Sequence, residues 1–174
     1  MKKHRPLRLG FDLDGVLIGK PFFIPQSWLE YLFRGKRQKK LHYRYPKTKL
    51  EIWIRKFSHF YLFRPPLKEN IENIKQIQQK RSCWLYVVSG RYSFLEKETK
   101  IWLKKRNLED VFIKVFINLN DEQPHLFKEK TIKKLNLDYF FEDDPQIVDY
   151  LKSKISQSRI KLINRDHRVV VPLS

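Results

Sequence analysis

Gly10-Phe11-Asp12-Leu13-Asp14-Gly15-Val16-Leu17 sits at the end of a short, mostly apolar run that begins at Leu7. Such a run, closed by two carboxylates and a glycine, suits a β-strand that stops at a turn. Downstream, strand-like and helix-like stretches alternate. Leu67 to Lys80 puts Ile71, Ile74 and Ile77 on one helical face, and Trp84 to Val88 reads as a buried strand with a turn at Ser89-Gly90-Arg91. Phe94, Leu95, Ile101, Trp102 and Leu103 mark another amphipathic helix, and Val111 to Ile117 a third strand. Lys128 to Leu135 reads as a helix with Ile132 and Leu135 facing inward. Tyr139-Phe140-Phe141 is a short strand running into Glu142-Asp143-Asp144-Pro145, with Pro145 in the first turn of a helix to Leu151. Ile160 to Ile163 is the last strand. This alternation predicts an α/β protein, a Rossmann-like parallel sheet with helices on both faces.

Residues 19–66 interrupt the pattern. They hold Pro21, Pro25, Pro46, Pro65 and Pro66, a basic run from Arg34 to Lys40, and clustered aromatics. Ser27-Trp28-Leu29-Glu30 resembles a capped helix start. Leu50 to Phe63 carries Ile52, Trp53, Phe57, Phe60 and Tyr61 at helical spacing. The expectation is a small helical insertion at 19–66, with the sheet built from 1–18 and 67–174.

The 174 residues are 41% hydrophobic, enough for a real core and too many for a disordered chain. Against 37 Lys and Arg stand 19 Asp and Glu, a net charge of +18. That charge attracts phosphorylated molecules or polyanions, although its spread along the chain also fits a plain composition bias. The single Cys83 lies in an apolar strand and forms neither an internal disulfide nor a zinc cluster. No apolar run approaches the ~20 residues that span a bilayer. The basic N-terminus is followed by a stretch that Asp12 and Asp14 interrupt, which argues against an export signal and for a cytoplasmic protein with no membrane partner.

Ligands of open α/β sheets sit beyond the carboxyl ends of the strands. Here those ends carry Asp12 and Asp14, Ser89, and Glu142, Asp143 and Asp144, with Lys128 on a neighbouring helix. Carboxylates gathered at one point repel each other unless a cation neutralises them, and oxygen ligands without a Cys or His cluster select Mg²⁺. A carboxylate beside Mg²⁺ and a lysine can attack phosphorus, because the cations screen the repulsion between the anions.

In these motifs the sequence resembles the haloacid dehalogenase-like superfamily. Gly10 to Leu17 is similar to its first motif, Val87-Val88-Ser89-Gly90-Arg91 to its second, Lys128 to its third, and Phe141-Glu142-Asp143-Asp144-Pro145 to its acidic fourth. The resemblance covers roughly 7–18 and 67–152. It implies a Mg²⁺-dependent phosphatase acting through an aspartyl phosphate. Asp12 would be the nucleophile and Asp14 the general acid and base. Ser89 and Gly90 would meet the phosphate, and Lys128 would hold Asp12 and the phosphate. Asp143 would bind Mg²⁺ with Asp12 and the Asp14 backbone carbonyl, and Glu142 or Asp144 would orient metal-bound water. The insertion would be a cap over the site, and the substrate a small phosphorylated molecule, first a nucleoside monophosphate as in a 5′-nucleotidase.

Other readings stay open. The basic, aromatic insertion also suits a nucleic-acid end, as in a polynucleotide end phosphatase, or a nucleic-acid-binding protein on an inactive scaffold. Plain structural roles compete as well: Asp12 and Asp14 as turn formers, Ser89 as a turn residue, Lys128 as one solvated lysine among several, Asp144 as a helix cap. His42, His59 and His125 are isolated and are assigned no chemistry.

Overall fold

In the computed structural model the described residues are 5–21, 41–80, 83–164 and 168–170. The helix start expected at Ser27 and the basic run from Arg34 to Lys40 lie outside them.

The strands are β1 (Leu7–Phe11), β2 (Cys83–Tyr92), β3 (Lys114–Asn118), β4 (Tyr139–Glu142) and β5 (Arg159–Leu162). They form one sheet of order β3-β2-β1-β4-β5, and every neighbouring pair is parallel. The helices are α1 (Lys49–Ser58), α2 (Lys68–Lys80), α3 (Glu96–Lys105), α4 (Pro124–Leu135) and α5 (Pro145–Lys154). Side chains alternate faces along a strand, so each strand feeds two cores. Leu9, Phe11, Leu85, Val87 and Phe141 meet Ile74 of α2 and Trp102 of α3 on one face. Tyr86, Val88, Phe140 and Ile160 meet Ile132 of α4 and Leu151 of α5 on the other. Burial on both faces explains why these strands read as continuous apolar runs.

β1 is the central strand, and its neighbours β2 and β4 lie on opposite sides of it. Strand order therefore reverses here, and the crevice beyond the carboxyl end of β1 is where such a sheet binds ligands. The Asp12 amide donates to the Phe141 carbonyl at 2.8 Å, which fixes the end of β1 against the end of β4. A tight loop follows, closed by Gly15 N–H to the Ile18 carbonyl at 2.8 Å and Ile18 N–H to the Leu13 carbonyl at 2.9 Å. Gly15 has φ +76°, in the region only glycine enters cheaply.

The chain leaves and re-enters the sheet layer at one neck. Gly19 N–H donates to the Pro65 carbonyl at 2.7 Å, and Leu67 N–H to the Leu17 carbonyl at 2.9 Å.

Two sequence expectations are corrected. The stretch Ser89-Gly90-Arg91 is not a turn: β2 runs on to Tyr92, with its register to β3 shifted between Ser89 and Tyr92. The irregularity keeps the strand going while re-aiming its side chains, as a bulge does. The second correction concerns α1, which ends at Ser58 where the sequence spacing predicts a helix to Phe63, and whose apolar stripe faces outward. Trp53 is 61% exposed and Phe57 49%, whereas Glu51, Arg55 and Ser58 are buried. The helix lies with its polar side toward the crevice, Arg55 lining it.

Candidate active site

The residues singled out at the strand ends converge. Asp12, just beyond β1, is buried, and Lys128 of α4 places Nζ 3.1 Å from its Oδ2. The same Nζ donates to Glu142 Oε2 at 2.6 Å. Asp12, Glu142 and Asp143 bring ligand oxygens within 4.8 Å of one another. Lys128 is therefore no solvated surface lysine, although Lys130 and Lys133 on the same helix are.

Burial and crowding shape the charges. Burial pushes the Asp12 carboxyl up, with Lys128 pulling the other way. Burial and then the neighbouring Asp12 raise Glu142 well above the carboxylate range. The same causes push Asp143 up to about 7. Burial alone would lower Lys128, but Asp12 and Glu142 outweigh it and hold the ammonium well above its ordinary range. One lysine thus serves three crowded carboxylates, a set that lacks positive charge.

These residues fit a hard divalent cation. The donors are carboxylate oxygens, and the fold makes room for them: a Cβ on Gly15 would lie 1.9 Å from Asp143 Oδ2. Within the acidic motif, Glu142 already accepts from Lys128 and, at 3.2 Å, from the Asp144 amide. Asp144 caps α5, its Oδ1 accepting from Gln146 N–H at 3.0 Å, and it also accepts from the Tyr43 hydroxyl. Asp143 is thus the carboxylate of this motif best placed for a cation, Glu142 lies beside it, and Asp144 is a helix cap.

Ser89 is buried, and its Oγ accepts from the Arg91 amide at 3.3 Å. Gly90 lines the crevice, and a Cβ there would meet Pro124 Cβ at 2.7 Å. That close approach lets α4 carry Lys128 up to Asp12.

Asp14 has company that sequence reasoning did not foresee. Arg91 grips it with both ends of its fork, Nε to Oδ2 and Nη2 to Oδ1, each 2.7 Å. Arg64 donates to Oδ1 as well. Burial alone would raise Asp14, but Arg91 and Arg64 outweigh it and hold the carboxyl well below the usual range. Solvent still reaches 34% of the side chain, which tempers the shift without reversing it. His59, assigned no chemistry from sequence, is buried nearby and pushed down to about 3 by burial, with Arg91 and Arg64 adding to it. These groups line a cavity of about 470 Å³ that runs from the acidic cluster to Arg64 and Arg91. The only local hint to Arg91 was its place beside Ser89-Gly90.

A central β1 ending in Asp12 and Asp14, Lys128 bridging to the end of β4, and the strand order together decide the comparison. The fold is haloacid dehalogenase-like. A hydrolase of the haloacid dehalogenase-like family from Streptococcus pneumoniae superimposes with TM-score 0.52 at 14% identity, over 86% of this chain and 81% of that one. An enzyme of the same family from Bacteroides thetaiotaomicron, solved with magnesium and inorganic phosphate, gives 0.58 at 11% identity, over 93% and 96%. A chain of the Pnkp1/Rnl/Hen1 RNA repair complex gives 0.54 at 13% identity, over 94% of this chain and 44% of that one. No family model matches the sequence, and no curated protein matches it. Among the described residues, no helix is long and apolar enough to cross a membrane.

Proposed function

We infer that this chain hydrolyses phosphomonoesters with Asp12 as the nucleophile. The observation that carries the reading is the Asp12–Lys128 contact at 3.1 Å inside the cluster with Glu142 and Asp143. A buried carboxylate fixed beside an ammonium at a strand-order reversal is equipped to attack an anion and has little structural reason to be there.

In the first step an Asp12 oxygen forms a bond to phosphorus while the ester P–O bond breaks and the leaving oxygen takes a proton from Asp14, which must first have gained it from solvent. In the second, water attacks the phosphorus of the aspartyl phosphate, giving inorganic phosphate and the free Asp12 carboxylate. Lys128 favours the ionised Asp12 carboxylate against its burial, aims it, and balances charge on the phosphoryl oxygens. Asp14 is placed to take the proton from water, but its arginines make it a weak base while they hold it, so it serves once they part from it. To protonate the leaving oxygen it must first part from Arg64 and Arg91. Mg²⁺ held by Asp12, Asp143 and the Asp14 backbone carbonyl would supply charge neutralisation for the phosphoryl group.

Residues 19–66 would act as a cap. The neck at Gly19, Pro65 and Leu67 supports this boundary, as does the presence of Tyr43, Arg55, His59 and Arg64 on the cavity wall. Tyr43 and Tyr92 supply aromatic surface there, so nucleoside phosphates are the first substrates to try. The net charge of +18 favours, as a second reading, a phosphate at a polynucleotide end. The test is a hydrolysis screen over p-nitrophenyl phosphate, nucleotides, sugar phosphates and end-phosphorylated oligonucleotides, with Mg²⁺ and with EDTA. Mg²⁺-dependent release of phosphate supports the reading, and no turnover of any of them refutes it.

A further inference from the structure

The phosphoryl site accounts for Asp12, Lys128, Glu142 and Asp143. It does not account for the arginines. Arg64 and Arg91 are buried, with side chains 6% and 4% exposed, and both guanidiniums fall on the single carboxylate of Asp14. Two cations against one anion leave a surplus of positive charge, and the nearby His59 contributes none because burial holds it neutral. The other carboxylate near Arg64 is Asp143, which belongs to the acidic cluster. The Arg64 Nε is buried with no hydrogen-bond partner among the described residues. A buried guanidinium fork suits holding a carboxylate or phosphate by paired donors, and leaving a donor orphaned is costly.

The anchoring of each arginine also suits a built site. Arg91 Nη1 donates to Thr99 Oγ1 at 3.0 Å, so α3 holds the fork in place. The backbone carbonyl of Arg64 accepts from Trp102 Nε1 at 2.8 Å, and Trp102 is fully buried. The two cations come from different parts of the chain, one from the segment before Leu67 and one from β2, and both line the same cavity as Asp12.

We propose that Arg64 and Arg91 form a second anion site beside the phosphoryl site, so that the substrate is a phosphomonoester carrying a second anionic group. In the structure the Asp14 carboxylate takes that group's place. A substrate anion binding there draws the guanidiniums off Asp14 and frees it to turn toward the leaving oxygen. The second group is a phosphate or a carboxylate, since both match the guanidinium fork. This rests on the phosphatase reading for the first anion and adds the second.

The test compares kcat/KM for substrates that differ by one anion: adenosine 3′,5′-bisphosphate against adenosine 3′- and 5′-monophosphates, and 3-phosphoglycerate against glycerol 3-phosphate. At least one pair is expected to show a preference of about tenfold or more for the doubly anionic member, the scale of one charge-assisted contact. The pair that shows it tells phosphate from carboxylate. In R64Q and R91K the preference is expected to fall toward unity; R91K keeps the charge and loses the fork, and is the milder change where Thr99 also depends on Arg91. Calorimetric binding of adenosine 3′,5′-bisphosphate and 3-phosphoglycerate in EDTA reads the subsite without turnover, and R64Q is expected to weaken whichever binds. Failure of every substrate to turn over would count against the phosphatase reading and leave this binding measurement standing. Ratios near unity in the parent protein, or a preference that survives both variants, would overturn the second anion site.

Discussion

Gly15→Ala is the substitution whose consequence can be worked furthest from the geometry. Gly15 has φ +76°, and an alanine forced into that region costs about 1–2 kcal/mol. The added Cβ would also lie 1.9 Å from Asp143 Oδ2, 2.0 Å from Cγ and 2.5 Å from Cβ. Because Asp143 Cβ itself is in the way, swinging the carboxylate aside does not relieve the clash, and backbone must move. Overpacking of that kind costs roughly 1–3 kcal/mol more. The sum, about 2–5 kcal/mol, corresponds in a chain of this size to a fall in Tm on the order of 10 °C. Asp143 would be displaced from Asp12 and Glu142, so Mg²⁺-dependent activity should fall more steeply than stability. The assays are thermal unfolding by circular dichroism and a Mg²⁺ titration of p-nitrophenyl phosphate hydrolysis. A G15A protein with the parent's Tm and the parent's Mg²⁺ requirement would refute both the turn geometry and the role given to Asp143.

Lys128→Met should destabilise the fold by roughly 3–5 kcal/mol, since it leaves Asp12 and Glu142 buried without their cation, and it should abolish turnover; denaturant unfolding measures the first effect and phosphate release the second. In EDTA, stability should rise as pH falls from about 8 toward 6.5, below which His59, pushed down to about 3 in the folded protein, opposes the gain because it takes its proton only on unfolding. The rise follows because Asp143, at about 7 in the folded protein against 3.8 for the ordinary group, binds its proton more tightly folded than unfolded, and Glu142 shifts the same way. Saturating Mg²⁺ should flatten that slope, and Tm measured across the pH range with and without Mg²⁺ checks it. Oligonucleotide affinity should depend only weakly on salt, well below the several-contact slope of about −0.7 per phosphate, because the lysines are dispersed along the chain. A steep slope lost on changing Arg34, Arg37, Lys39 and Lys40 to Ala would instead favour the polynucleotide substrate.

The sheet was legible because its strands are buried on both faces and its helices on one. Leu85 to Val88 and Ile71, Ile74, Ile77 announce themselves by period alone, and the polar groups at strand ends mark the crevice. What period cannot supply is which side of an amphipathic helix faces in. In α1 the aromatic side, Trp53 and Phe57, stays exposed, and Glu51 and Arg55 are buried against each other at 3.2 Å. That helix packs on a polar crevice, where ion pairs and not apolar contacts set the inward face. The arginine clamp on Asp14 was hidden for a different reason. Arg64 and Arg91 lie 50 and 77 residues from it, and apart from Arg91's place beside Ser89-Gly90 nothing local in a basic chain distinguishes these arginines from others. The same clamp sets a condition on the general-acid role proposed for Asp14, because a carboxylate so paired has no proton to give until the pairs part.

If phosphate passes through Asp12, it can be trapped there during turnover. The protein is mixed with p-nitrophenyl phosphate and Mg²⁺, quenched in acid within the first turnover, digested and mapped by mass spectrometry. Phosphate is expected on the peptide containing Asp12, absent in D12N and absent when EDTA replaces Mg²⁺. Hydrolysis that proceeds in D12N at the parent rate, or phosphate trapped on another residue, would contradict passage through Asp12.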